Sequence, residues 1–217
     1  MVLIKHKSVN VSHVHGDYAK QDERVVRSCR QLDAAFVELL HRRAYGNIRV
    51  GDIAKKAGVG RATFYAHFSS KDDLLRSQFN RIVAPMLAIK QDDACPIDAS
   101  AFFAHVQSVP HLYKALASGP EAGSGPRVLR DCFEERVRQA LDSRGDSAGG
   151  GPEFAMQHAI VTRAVASSLL AVIECWVESN LVKSPQEVQA IFSKLVGGGL
   201  MAMSAPGPNN MRLGHSK

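Results

Sequence analysis

Cysteine is scarce and scattered. Only Cys29, Cys95, Cys132 and Cys175 occur in 217 residues, and no C-x-x-C or C-x-x-H pair brings two ligands together. The sequence thus offers no zinc-type cluster or disulfide framework, and the thiols are expected to stay reduced in a cytoplasm. Long apolar runs are also missing. The longest, 164–177, is interrupted by Ser167, Ser168 and Glu174, and it falls short of the roughly 18 to 20 residues that span a bilayer. Residues 1–20 hold Lys5 and Lys7 but no apolar segment with a cleavage pattern, so neither a signal peptide nor an anchor is expected. His105 and His111 are spread like the cysteines, and the glycine runs 149–151 and 197–199 lack the strand-to-helix setting of a phosphate cradle. Nothing resembles a nucleophile elbow or a carboxylate pair. No catalytic residue, metal or cofactor is expected, and the chain reads as not an enzyme.

What is present is positive charge, unevenly placed. The chain holds 27 Lys+Arg and 21 Asp+Glu, and residues 1–80 carry 14 basic against 8 acidic side chains while 81–217 carry 13 of each. A basic end joined to a neutral body suggests that one end meets phosphates and the other does something else. The polar segment 1–21, with His6, His13 and His15, reads as a flexible arm.

Residues 50–68, VGDIAKKAGVGRATFYAHF, read as two short helices around a Gly58-Val59-Gly60 break. Ile53, Ala54 and Ala57 form one apolar stripe, with Ala62, Phe64 and Phe68 supplying the second helix. Gly58 lets the chain leave the first helix in a left-handed conformation. The small Ala54, Ala57 and Ala62 let the helices cross closely. Arg61, Thr63, Tyr65 and His67 are left to point outward, and each can bond a phosphate or a base edge. That is the pattern of a helix-turn-helix. Arg61 and Thr63 are expected at base edges, with Ala62 against a thymine methyl. Tyr65, His67 and Lys71 are expected at phosphates, Lys71 beside a helix N-terminus.

Over residues 24–79 the chain resembles the DNA-binding domain of the TetR family of bacterial transcriptional regulators. The shared run is IxVxDIAxxAGVxxxTFYxHFxxKxxLL, carried here by Ile48, Val50, Asp52, Ile53, Ala54, Ala57, Gly58, Val59, Thr63, Phe64, Tyr65, His67, Phe68, Lys71, Leu74 and Leu75. Two positions depart from it. Arg49 stands where the family usually has Thr or Ser, and Gly60 where the recognition helix usually starts with Ser. Gly is an acceptable N-cap, a few tenths of a kcal/mol poorer than Ser; a hydroxyl for phosphate is missing, and Arg49 offers a charge in its place.

The rest reads as helices with no period-2 strand, so the fold class is all-α. A first helix is expected over 22–43, closed by Tyr45-Gly46. Another is expected over 71–90, capped by Ser69 or Ser70 and kinked at Pro85. Further helices are expected over 98–107, 110–117, 127–143, 152–180 and 185–200, with 119–126 and 145–152 as flexible loops. Ser184, Pro185 and Glu187 spell a capping box. The helix at 152–180 is apolar nearly all round, which asks for cover from a second subunit, and Leu169 and Leu170 are the positions where a charge should damage packing or dimerisation. The domains are an arm at 1–21, a helix-turn-helix domain at 22–80, an effector-binding and dimerisation domain at 81–203, and a flexible tail at 204–217.

The resemblance implies a homodimer joined through its last two helices and an effector cavity in the body. Candidate lining residues are Met86, Phe102, Phe103 and His105, together with Tyr113, Phe133, Met156 and Trp176, which suit a mostly apolar small molecule. The implied function is a cytoplasmic, ligand-responsive regulator, most often a repressor, that binds double-stranded DNA at an inverted-repeat operator with no membrane partner. The alternative is an all-helical small-molecule-binding dimer whose DNA function has weakened.

Overall fold

The computed structural model describes the backbone of residues 12–91, 93–143 and 151–204, and side chains within 23–200. The fold is all-α. Its helices are α1 (Ser12–Leu40), α2 (Val50–Ala57), α3 (Arg61–His67), α4 (Lys71–Gln78), α5 (Ser100–Ser108), α6 (Pro110–Ala117), α7 (Gly125–Ser143), α8 (Pro152–Glu178) and α9 (Pro185–Ser204). α1 begins at Ser12, inside the stretch expected as an arm. Residues 1–11 and 205–217, expected as arm and tail, lie outside the described residues, as do 144–150 of one expected loop.

The head consists of α1, α2 and α3. Phe36, Ile53 and Phe64, all at 0% exposure, meet where the three helices cross. Gly58 closes α2 at φ 69° in the left-handed region, where a Cβ would be strained. Ala62 is exposed, so the crossing of α2 and α3 relies on Ala54 and Ala57 alone.

The expected helix at 71–90 is broken earlier than Pro85. α4 passes into a π turn at Phe79–Val83, closed by the Ala84 N–H to the Phe79 carbonyl, and then a 3-10 turn at Ala84–Met86. Proline has no N–H and its ring crowds the carbonyl four residues back, so the widened turn before it absorbs the misfit. Past Leu87 a two-residue ladder, β1 (Ala88–Ile89) against antiparallel β2 (Ile97–Asp98), ties off the connection. It was not expected, since strands this short carry no alternation to read.

In the body, α7 lies along α8, α9 packs on α5 and α8, and α6 fits against α7 and α8. Phe79, Phe102, Phe133, Tyr113, Phe103, Trp176 and Phe192 stack edge to face through its centre, with centroids 5.1 to 6.3 Å apart. Residues 119–126, expected as flexible, are packed: Ala122 is buried and Gly125 already opens α7. The capping box forms, with Ser184 N–H to Glu187 Oε2 at 2.8 Å and Glu187 N–H to Ser184 Oγ at 3.3 Å.

α8 is long and apolar enough to cross a membrane by length and composition, contrary to the expectation from runs, but 44% of that window is buried inside the fold. Leu169 and Leu170 are 1% and 4% exposed, so they belong to the subunit's own core rather than to a partner face. The uncovered apolar side of α8 lies elsewhere, at Met156 (62%) and Ile160 (55%), and α9 adds Ile191 (45%) and Leu195 (55%). Further along the same helices the small residues Ala164, Ala171 and Gly198 are exposed too.

Candidate nucleic-acid interface

α3 presents its outer side at the tip of the head. Arg61, Ala62 and Tyr65 are exposed and Thr63 is half-buried. Tyr65 is held upright by an edge-to-face contact with the fully buried Phe64, ring centroids 5.5 Å apart. Gly60 begins the helix with no side-chain cap, and a Cβ there would meet nothing closer than Thr63 Oγ1 at 4.0 Å. The missing hydroxyl is therefore a chemical choice rather than a steric one.

Arg61 lies back across α2. A Cβ on Gly51 would come within 2.6 Å of Arg61 Nη2, so Gly51 provides the seat for the guanidinium. Sequence reasoning passed over Gly51, because helix propensity counts a glycine at that place only as a weakness. Arg49 is exposed at the N-cap of α2. Its backbone N–H donates to Asp52 Oδ2 at 3.0 Å, and since an arginine side chain carries no acceptor its guanidinium remains free of capping.

Two of the residues expected at phosphates are engaged inside the protein. His67 Nε2 lies 2.7 Å from Ser28 Oγ on α1. Lys71 Nζ donates to the carbonyls of Tyr45 at 2.7 Å and Ile48 at 2.8 Å and sits 4.3 Å from the centroid of the Tyr45 ring. Burial holds the Lys71 ammonium below its ordinary pKa, with Asp72 pulling the other way. The N-terminus of α4 is already supplied with anions: Asp73 accepts from Ser69 N–H at 2.9 Å, and Ser70 Oγ accepts from Asp73 N–H. Lys71 thus staples the 45–48 turn to α4.

That turn also joins head to body. Tyr45, at 0% exposure, donates its hydroxyl to Asp72 Oδ1 at 2.5 Å; Ser124 Oγ donates to the same oxygen at 2.8 Å, and Arg127 lies 3.5 Å from Oδ2. Burial first, and the Asp72 carboxylate second, push the Tyr45 phenol pKa up. A Cβ on Gly46 would stand 2.4 Å from the Glu121 carbonyl oxygen, so glycine is required for this approach.

The candidate effector residues are not brought together in one cavity. Phe102, Phe103, Phe133 and Trp176 fill the aromatic core, Met86 is half-buried beside the π turn, and Met156 is exposed on α8, away from any interior space. His105 and Tyr113 border a cavity of about 170 Å³ beneath the head. Large apolar side chains at helical spacing pack against each other wherever they fit, and sequence does not say which will leave a gap. Burial lowers the His105 pKa and raises that of Tyr113. It also lifts the Cys132 thiol to about 11 and the Cys95 thiol above its ordinary value, so both are inert at neutral pH. Among the described residues no three His, Cys, Asp or Glu side chains cluster as a metal site.

Residues 32–77 match the family described as "Bacterial regulatory proteins, tetR family". An HTH-type transcriptional regulator of Bacillus subtilis is 37% identical over 67 residues, 30% of this chain but 18% of that protein. The matched segment therefore spans less than a fifth of that relative's length. A second, from Mycobacterium bovis, is 24% identical over 173 residues, 73% of this chain and 78% of the relative. Among solved structures, a TetR transcriptional regulator from Rhodococcus sp. RHA1 superposes with a TM-score of 0.52 at 20% identity, covering 83% of this chain and 97% of the other. Another from Streptococcus agalactiae 2603V gives 0.51 at 20% identity over 82% and 98%. At such identities these superpositions speak for the fold.

Proposed function

For a chain that belongs, through residues 32–77, to the TetR family of bacterial transcriptional regulators, we propose a homodimeric, ligand-responsive repressor acting in the cytoplasm. It binds an inverted-repeat operator and leaves it when a small, mostly apolar effector binds. The observation that carries this is α3, which offers exposed Arg61, Ala62 and Tyr65 at the tip of a basic head. Arg61 and Thr63 address base edges, Ala62 a thymine methyl, and Tyr65 and Arg49 the phosphates. Two such helices must enter successive major grooves about 34 to 36 Å apart, which requires a dimer and a repeated half-site. The uncovered apolar side of α8 and α9 supports a second copy as the partner, because exposed large apolar residues are followed along each helix by small ones that permit close helix approach.

The test is a mobility shift on DNA flanking the chain's own gene. Saturable binding that Arg61→Ala weakens by about 1 to 3 kcal/mol with relaxed sequence preference is expected. A specific observation favours the second reading, a ligand-binding dimer with weakened DNA affinity: Gly60 offers no hydroxyl, and His67 and Lys71 are engaged internally. Binding no tighter than to random duplex, insensitive to Arg61→Ala, decides for that reading.

A further inference from the structure

A surface cleft of about 530 Å³ lies where the end of α1 meets α6, walled by residues 40–44 on one side and by α6 with the 118–121 turn on the other. Its lining is basic. The exposed cations Arg42, Arg43 and Lys114 border it together with the exposed imidazoles of His41 and His111, against a single carboxylate, Glu121. His111, Lys114 and Ser118 follow one another at i, i+3 and i+7, so one side of α6 and its C-cap is turned to the cleft.

The carboxylates that could neutralise this lining are already engaged. Glu38 is shared between Arg42 at 3.4 Å and Lys56 at 2.5 Å. Asp52 lies 3.8 Å from Arg43 and also accepts from the Arg49 N–H, and Glu121 accepts from Asn47 Nδ2 at 3.1 Å. The side chains of His41, His111 and Lys114 make no hydrogen bond or ion pair among the described residues. A second observation is independent of charge. The Ser118 hydroxyl is buried with no hydrogen-bond partner among the described residues, a state that costs free energy until a partner arrives. The Asn47 bond to Glu121 and the close approach of Gly46 to the Glu121 carbonyl hold the 119–121 turn against the head, so the two walls keep their spacing and the cleft is preorganised.

From these observations we infer that the cleft binds a small oxyanion of the phosphate class carrying at least two negative charges. Charge sets the valence, because three permanent cations against one carboxylate leave an excess of two. Shape sets the class: a carboxylate presents two oxygens in one plane, whereas a phosphate group presents three around a centre and meets donors from both walls at once, with guanidinium forks suited to it. The imidazoles add N–H donors in either protonation state. A turn about the Ser118 side-chain bond brings its hydroxyl to the occupant. The volume falls within the roughly 300 to 1,000 Å³ of small-molecule sites, so the anion can carry a further small group. This inference stands apart from the regulator reading: none of these residues belongs to α3, and the occupant is charged where the proposed effector is apolar.

The test is calorimetry on the full-length protein without DNA, with inorganic pyrophosphate as the probe. Wild type is expected to bind it saturably. Lys114→Gln should weaken it about five- to tenfold and Lys114→Arg should keep it, while Lys183→Gln, on the turn between α8 and α9, should leave it unchanged. Ser118→Ala should weaken it about two- to fivefold and leave the thermal midpoint of the free protein at or above that of wild type, because the hydroxyl bonds nothing until the occupant arrives. A lowered midpoint with unchanged affinity overturns the role of Ser118. No saturable binding, or equal losses in Lys114→Gln and Lys183→Gln, overturns the site. Random-sequence duplex is the second arm: a duplex that displaces pyrophosphate and loses affinity in Lys114→Gln puts DNA backbone in the cleft and overturns the small-anion assignment. Arg61→Ala should leave pyrophosphate binding unchanged whatever it does to operator binding, so failure of this site and failure of the regulator reading are told apart.

Discussion

Lys71→Met separates two physical roles that sequence alone cannot distinguish. If Lys71 met a phosphate, its loss would leave the free protein's stability unchanged and reduce the slope of log affinity against log salt by about 0.9 per contact, or about 1.8 for two half-sites. The geometry predicts the opposite. Lys71 Nζ donates to two carbonyls at 2.7 and 2.8 Å and lies 4.3 Å from the Tyr45 ring centroid. Hydrogen bonds from a charged donor contribute about 1.5 to 3 kcal/mol each when buried, and a half-exposed ammonium recovers part of that from water, so a loss of about 2 to 3 kcal/mol is expected. With a urea m-value of about 2 kcal/mol per molar, the midpoint should fall by roughly 1 M. Urea unfolding at one fixed subunit concentration reads the first quantity, because dimer formation makes the midpoint concentration-dependent. Fluorescence anisotropy on a duplex from the chain's own upstream DNA, across a salt series, reads the second. A variant as stable as wild type with a salt slope reduced by about two units would refute the staple and restore the phosphate contact.

Leu195→Glu, on the uncovered side of α9 at 55% exposure, should give a folded monomer by light scattering that no longer binds operator; a stable dimer would remove α9 from the interface. Gly51→Ala should hold or slightly raise stability, since alanine is the better helix former, by at most about 1 kcal/mol and by less in the first turn, where Gly51 lies. It should also displace the Arg61 guanidinium, which a Cβ would approach to 2.6 Å, and an unchanged operator preference would show that this seat has no bearing on DNA reading. Glu187 is held below its ordinary 4.5 by the Ser184 N–H and hydroxyl. Because the folded value is depressed, its stabilisation is present above the unfolded value and lost as pH falls through the folded one. Glu187→Gln should therefore flatten the fall in stability below pH 4.5, and an unaltered pH profile would deny the cap that role.

Features written in local chemistry were legible in the sequence. Pro110, Pro152 and Pro185 each open a helix at their own position, because proline fits only the first turn. Gly58 marks the end of α2 for the complementary reason, a backbone that only glycine enters without strain. The alternation of outward and inward residues over 61–68 foretold that Arg61, Ala62 and Tyr65 are exposed while Phe64 and Phe68 are buried. What could not be read depended on distant partners. His67 and Lys71 have the side chains of phosphate ligands, and nothing local announces that Ser28, 39 positions away in the chain, and the 45–48 turn engage them. Leu169, Met156 and Phe133 are alike in sequence as large apolar residues of a helix, yet one is core, one surface and one part of an aromatic stack. Only packing decides among those fates.

The joints between head and body lie on either side of residues 82–86. Gln78, just before the π turn, and Arg81, within it, both hold Asp33 of α1, Arg81 at 2.5 Å, so the chain up to there is tied to the head. After it, Arg136 of α7 grips the Leu87 carbonyl with two donors at 3.0 and 2.7 Å, so the chain from there is tied to the body. The residues between, 82–86, include Pro85 and are the natural place for an angle to change. A second connection runs in parallel through Tyr45, Asp72, Ser124 and Arg127. Two connections thus join head to body: one gathers two hydroxyls and a guanidinium on Asp72, and the other runs through the π turn, where the helix hydrogen bonds are widened rather than reinforced by side chains of the body.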